Sequence, residues 1–358
     1  MVYPDLVAIP QEHKNRRVLD TTVTTTDPSV GTQTRHKTPV RETETGCFPY
    51  IRKLLCKRGL TVESVDVILK SWRESTKKTY ETYLRKWLKF TKESKVDPIH
   101  PTQENFITFL TELFHAEASY STIGTARSAV NQFMLICSGQ DFSQSRLVNR
   151  FMKGVYESRP QLPKYVEIWD VGGVLDFIQK LPDELSLMLM TMKLCVLFLL
   201  TTMQRCQTLH LIALSDIKFK ADGLTIVTNH LLKQSKRGRH LPAIQIATYK
   251  DSKLCLVTLF QEYLTRTANL RGETKELLIS VQKTHKNVAR DTVSRWVKTF
   301  LYKAGVAKHY KAHSTRAASA SFANKTGVPL ETIMKTAGWA NATTFQKFYH
   351  KNCELDKK

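Results

Sequence analysis

Between His309 and Lys351 the chain reads HYKAHSTRAASASFANKTGVPLETIMKTAGWANATTFQKFYHK, and His313, Arg316, Trp339 and Tyr349 fall within it. A histidine takes or gives a proton near neutral pH. An arginine carries a planar, charged fork suited to anionic oxygens, an indole donates one N–H hydrogen bond, and a phenol oxygen becomes a covalent nucleophile once cations and a base favour its oxyanion. These are the residue types that proton transfer, anion binding and covalent attack require, and they form an unusual set to bury for packing alone. Taken singly each has a plainer reading: HxxR as a surface pair, GW as core, a late tyrosine as packing. Their order and spacing carry the signal. His313 and Arg316 are three apart and are expected on one helix face, with Ala317, Ala318, Ala320, Phe322 and Ala323 continuing the helix. Gly327-Val328-Pro329 breaks it, Leu330 to Ala337 forms a second short helix with Pro329 near its first turn, and Gly338 ends that one. Asn341 is expected to cap a last helix on which Thr344, Phe345, Phe348 and Tyr349 recur at three-to-four spacing.

The succession HxxR, then GW, then Tyr ten residues later resembles the catalytic C-terminus of the tyrosine recombinases, also called phage-type integrases. Within that family the ending GWANATTFQKFYHK is similar to the eukaryotic mobile-element branch, the DIRS-type retrotransposon and Crypton recombinases. Upstream, TTMQRCQTLHLIAL resembles the box that carries the family's first catalytic arginine, which assigns Arg205; a charge between apolar runs is costly unless it is used. The box departs from the pattern at Thr208, where many members have an acidic residue. Candidate strands Ile212 to Phe219 and Leu224 to His230, a basic turn over 231–240, and a further strand Leu241 to Ala247 resemble the hairpin on which the family brings a catalytic lysine to DNA. Lys233 is assigned that role, with Lys236 as the alternative and a phosphate-positioning basic loop as the competing reading for both.

What the resemblance implies is phosphodiester cleavage without a cofactor. Tyr349 would be the nucleophile and form a 3′-phosphotyrosyl bond, Arg205 and Arg316 would hold the nonbridging oxygens, and His313 would move a proton. Lys233 would protonate the 5′ oxygen, and Trp339 would donate its N–H and pack beside Tyr349. The bond energy stays in the phosphotyrosine, so religation needs no ATP. The sequence offers no HExxH, no DDE-type carboxylate set and no Walker lysine loop, so neither a metal nor another cofactor is expected.

Composition sets the frame for these parts. The 358 residues suffice for two domains, and 54 Lys and Arg against 32 Asp and Glu give a net charge of +22, which points to nucleic acid as partner. The seven scattered cysteines include no CxxC pair, which argues for reduced thiols inside a cell and against a zinc finger or disulfide scaffold. There is no N-terminal apolar segment of a secretory signal. The most apolar window, Leu185 to Leu200, carries Lys193 and is too short to span a bilayer, so it is expected as a buried core helix and no membrane partner is expected.

In chain order, residues 1–45 are expected as a disordered polar arm, whose run His13-Lys14-Asn15-Arg16-Arg17 could serve as a nuclear address or a DNA tail. Residues 46–158 read as a helical bundle: Val62 to Ser71, Ser75 to Lys92, Gln103 to Ala116, Ser119 to Ile136 and Phe142 to Tyr156. This part resembles the family's SAM-like core-binding domain, and Lys77, Lys78, Arg85, Lys86 and Arg127 on its polar faces, with Lys236, Arg237 and Arg239 on the hairpin, are the candidate DNA-binding residues. Residues 159–168, with Pro160 and Pro163, read as a linker, and 169–358 as the catalytic domain. The expected fold is mainly α with a small antiparallel β-sheet. The expected function is site-specific DNA recombination by a mobile element, in the nucleus, on double-stranded DNA, as a homotetramer, with no small-molecule substrate. A type IB topoisomerase-like enzyme and a host-adopted DNA-binding protein without catalysis are the alternatives; loss of catalysis predicts decay of the motif, which the intact set argues against.

Overall fold

The computed structural model of the chain describes residues 46–353 except 163, 229, 231, 233, 234, 236 and 238–241. The expected arm over 1–45 and the candidates Lys233, Lys236 and Arg239 lie outside the described residues. The chain divides into two compact units, one ending at Leu162 and one following it.

The first unit is helical: α1 Cys47–Lys57, α2 Val62–Lys70, α3 Glu74–Glu93, α4 Gln103–His115, α5 Tyr120–Ser138 and α6 Arg146–Ser158. Thr61, Thr102, Ser119 and Ser145 each stand before a helix and accept a backbone N–H with the side-chain oxygen, which satisfies a donor that the helix itself leaves without a partner. The aromatic stripe of α3 turns inward. Trp87 is fully buried among Phe90, Phe106 and Phe109, and its indole N–H donates to the Pro98 carbonyl at 3.0 Å. The last helix starts four residues later than the apolar pattern from Phe142 suggests. Asp141 there accepts the Ser143 backbone N–H and the Asn131 amide, folding 141–143 into a turn before Ser145 can cap.

The second unit runs β1 Glu167–Ile168, α7 Val171–Gln179, α8 Leu187–Thr202, α9 Cys206–His210, a 3-10 turn at Leu214–Asp216, β2 Ile217–Lys220, β3 Gly223–Ile226 and β4 Ile244–Ala247. It continues with α10 Leu256–Thr267, α11 Arg290–Lys303, α12 Ser314–Lys325, α13 Leu330–Ala337, α14 Ala342–Phe348 and β5 Asn352–Cys353. Helix α8 is buried from Met190 to Thr202 and packs against α10, α11 and α12, as a helix apolar on all sides must. Strands β2, β3 and β4 form an antiparallel sheet in that order. Gly223 lies so close to the Ile246 carbonyl that a Cβ would meet its oxygen at 2.1 Å, so the first position of the central strand β3 admits only glycine. The expected strand from Ile212 begins only at Ile217, because Asp216 folds back to accept the Ala213 N–H. The apolar run Leu277 to Val281, whose pattern suits a short strand, makes only isolated bridges in this region, with Glu276 opposite Ala213 and Ile279 opposite Asn287. Two-residue strands that no periodicity announces, β1 and β5, pair in parallel, Glu167 with Asn352 and Ile168 with Cys353. Among the described residues no helix is long and apolar enough to cross a membrane.

Candidate active site

Four short elements of the second unit deliver the candidate residues. Helix α8 stops at Met203, which takes a left-handed conformation at φ 53° although it is not glycine. That turn ends the helix and leaves Arg205 half-buried at the N-cap of α9. The neighbouring Gln204 and Thr208 are buried: Thr208 donates to the Gln204 side-chain oxygen at 3.3 Å, and the Gln204 amide donates to the Thr336 carbonyl at 2.7 Å. Thr208, where the box departs from the resembled pattern, thus joins a neutral tie from α9 through Gln204 to α13.

His313 and Arg316 stand at the start of α12, but they do not share one environment. His313 occupies the N-cap position and is exposed, whereas Arg316, in the first turn, is fully buried. The Arg316 guanidinium donates from Nη1 to the Met203 carbonyl and from Nη2 to the Ala337 carbonyl at 2.6 Å. Its Nε has no hydrogen-bond partner. Burial pushes the Arg316 pKa down to about 9, the nearby Arg205 charge adds to the fall, and Tyr349 opposes it. A cation buried beside a second cation is a site waiting for an anion.

Gly338, at φ 70°, closes α13 and turns the chain into Trp339, whose ring is 4.8 Å from the Arg316 guanidinium carbon. The Trp339 indole N–H is buried and without a partner. Tyr349 was expected on the last helix and stands at its end, as the residue after α14, with its N–H bonded to the Phe345 carbonyl at 2.8 Å. Asn341 occupies the N-cap position of α14, but its side chain makes no cap hydrogen bond.

The parts converge on Tyr349. Its hydroxyl is 3.3 Å from His313 Nε2, its ring stacks on Trp339 with centroids 4.5 Å apart, and the Arg316 guanidinium carbon is 5.6 Å from its ring centre. In the tautomer with the proton on Nδ1, His313 Nε2 can accept the phenol proton. The unpartnered N–H groups of Arg316 and Trp339 are donors for an oxyanion. Two supports were not foreseen from sequence. Ser321 donates to the Tyr349 carbonyl at 2.6 Å and accepts the Lys351 N–H at 3.0 Å; its only sequence trace is a serine among the small residues of α12. Met203 had no trace, because its left-handed backbone is imposed by tertiary packing. It is buried in a small third core with Ala320, Ala323, Ile333, Ala337, Trp339 and Phe345.

Among the other candidates, Lys78, Arg85 and Lys86 are exposed along α3, Arg85 paired to Glu81 and the half-buried Lys77 to Glu74. Arg127 is engaged within its own unit, donating to the Ser143 carbonyl and the Asn149 side chain. Arg237 is exposed on the β3–β4 connection. Among the described residues no group of three or more His, Cys, Asp or Glu could hold a metal ion.

Comparison with known proteins gives a consistent picture. A family model described as the phage integrase family matches residues 173–354. No curated protein sequence matches. Among solved structures, the XerH site-specific recombinase bound to palindromic difH substrate, in a post-cleavage complex, is 15% identical, with a TM-score of 0.55 over 79% of this chain and 78% of that one. The Tn1549 transposon integrase in complex with transposon right end DNA is 15% identical, with a TM-score of 0.53 over 84% of this chain and 94% of that one. At this identity the likeness speaks for the fold.

Proposed function

Because this chain belongs to the phage integrase family, we propose that it is a DNA strand transferase that cuts and rejoins duplex DNA through a covalent bond to Tyr349. The observation that carries the proposal is the Tyr349 hydroxyl at 3.3 Å from His313 Nε2, beside the buried cation of Arg316. In the proposed step the Tyr349 oxygen attacks phosphorus, its proton passes to His313, and the bond from phosphorus to the 5′ oxygen breaks. The 5′ oxygen takes a proton, for which Lys233 is the candidate donor and Lys236 the alternative. The unpartnered N–H groups of Arg316 and Trp339, with Arg205, receive the charge on the nonbridging oxygens. Reversal on a different 5′ hydroxyl rejoins strands with no external energy source.

The mobile-element context rests on the GWANATTFQKFYHK ending, similar to DIRS-type and Crypton recombinases, and it carries with it a nuclear setting and a tetramer on DNA. The test is a suicide substrate nicked near the cleavage point, with the adduct resolved on a denaturing gel and mapped by peptide analysis. Wild-type protein should yield an adduct at Tyr349, and Tyr349→Phe should yield none while DNA binding survives. Tyr310→Phe should still form the adduct. An adduct that persists in Tyr349→Phe, or maps elsewhere, would falsify the assignment.

A further inference from the structure

The segment Tyr165–Trp169, by which the chain enters the second unit, makes a set of ties that the chemistry above does not use. The Tyr165 hydroxyl donates to the His309 carbonyl at 3.4 Å and accepts the Lys311 backbone N–H at 3.1 Å, so it spans the turn that leads into His313. Its ring stands 5.0 Å from that of Tyr310, which is buried and whose hydroxyl donates to the Glu167 carbonyl at 3.2 Å. Trp169, also buried, donates its indole N–H to the Ser314 hydroxyl at 2.9 Å, one residue beyond His313. Glu167 and Ile168 pair with Asn352 and Cys353, just beyond Tyr349. A single short segment therefore holds the turn before His313, the residue after it, and the strand behind Tyr349.

His313 is exposed at a helix N-cap, and its ring meets that of Tyr349 edge-on with centroids 6.2 Å apart. Its 3.3 Å separation from the Tyr349 hydroxyl is near the outer limit for a hydrogen bond, and a small shift of the turn opens it. We propose that Tyr165 is a positioning residue, holding His313 against Tyr349 through the 309–311 turn. The inference rests on the reading of Tyr349 as nucleophile and His313 as proton acceptor. Tyr165 itself touches no reacting atom; it fixes the geometry in which proton transfer can occur.

Tyr165→Phe keeps the ring beside Tyr310 and removes only the hydroxyl that spans the turn. Single-turnover cleavage of the suicide substrate, measured beside DNA affinity and thermal unfolding, should show a rate lower by on the order of tenfold, with affinity and unfolding midpoint unchanged. In a His313→Gln background the same change should slow cleavage no further, because its effect passes through His313. Should Tyr165→Phe lower the unfolding midpoint, Tyr310→Phe, which cuts the neighbouring tie at Glu167, goes through the same cycle and must show the same dependence on His313. An unaffected rate, or an equal loss with and without His313, overturns the inference while a wild-type adduct at Tyr349 leaves the catalytic reading standing. A wild type that forms no adduct overturns both.

Discussion

Arg316 is the residue whose environment asks most of the surrounding protein. Its two terminal nitrogens are spent on the Met203 and Ala337 carbonyls, and no carboxylate balances its charge within hydrogen-bonding reach among the described residues. Burial, reinforced by Arg205, lowers its pKa from the usual arginine range to about 9. The sign of the consequence follows from linkage. Between about 9 and the usual arginine range the unfolded chain holds this proton and the folded chain has released it, so for this group stability rises with pH across the window and is lost again as pH falls through 9. Catalysis runs the other way, because a neutral guanidine no longer attracts phosphate. The kcat/KM profile for cleavage should fall on its alkaline side with a midpoint near 9, where the free enzyme loses this charge. A profile that stays flat to about pH 10.5 would show that the charge is not needed or is not lost. At this scale the sequence was legible wherever residue type and spacing sufficed: His313, Arg316, Trp339 and Tyr349 converge as their order suggests. It was silent on Ser321, whose hydroxyl ties backbone groups around Tyr349 and is one serine among several small residues, and on Met203, which acts through a carbonyl that any residue could present.

At the scale of elements, the end of α8 is the joint on which the site turns. Met203 adopts a left-handed backbone that costs a non-glycine residue roughly 1–2 kcal/mol, yet its side chain is fully buried beneath Trp339 and Phe345, where it ties α8 to α12, α13 and α14. The two effects have opposite signs and can be separated. Met203→Ala keeps the strain and opens a cavity, so it should lose about 2–5 kcal/mol of stability. Met203→Gly opens nearly the same cavity but relieves the strain, so it should be the more stable of the two by about 1 kcal/mol. That ordering reverses the usual rank of alanine and glycine near a helix, and denaturant unfolding of the pair would read it directly. Had alanine proved the more stable, Met203 would carry no strain. Elements with a strong apolar period, such as α3, α4 and α8, were legible because burial on one face or on all faces writes itself into the sequence. Those decided by a tertiary partner were not. Strands β1 and β5 are two residues each and exist because they meet, and Leu277 to Val281 was denied a strand because its neighbour around Ala213 turns away after one bridge.

For the whole molecule the net charge of +22 is the dominant property, and where the cations stand decides what it does. On α3, Lys78, Arg85, Lys86 and Lys89 recur at seven-, eight- and eleven-residue steps from Lys78 and are all exposed, while Leu84, Trp87 and Phe90 on the same helix are buried. Arg85 and Lys89 are partly answered by Glu81 and Glu93, which leaves Lys78 and Lys86 without an acidic partner among the described ion pairs. Surface ion pairs of this kind contribute little to stability, so the row is poorly explained by folding. It is well explained by a polyanion, since each phosphate neutralised releases condensed counterion and makes binding depend on salt. The logarithm of DNA affinity should fall linearly with the logarithm of salt concentration, with a slope of about 0.9 per phosphate contact. Replacing Lys78 and Lys86 together by alanine should lower the slope by about 1 to 2, weaken binding alike on specific and unrelated duplexes, and leave the unfolding midpoint unchanged. Affinity that scarcely changes between about 50 and 200 mM salt, or a slope the double variant does not alter, would mean that the row does not lie on phosphates.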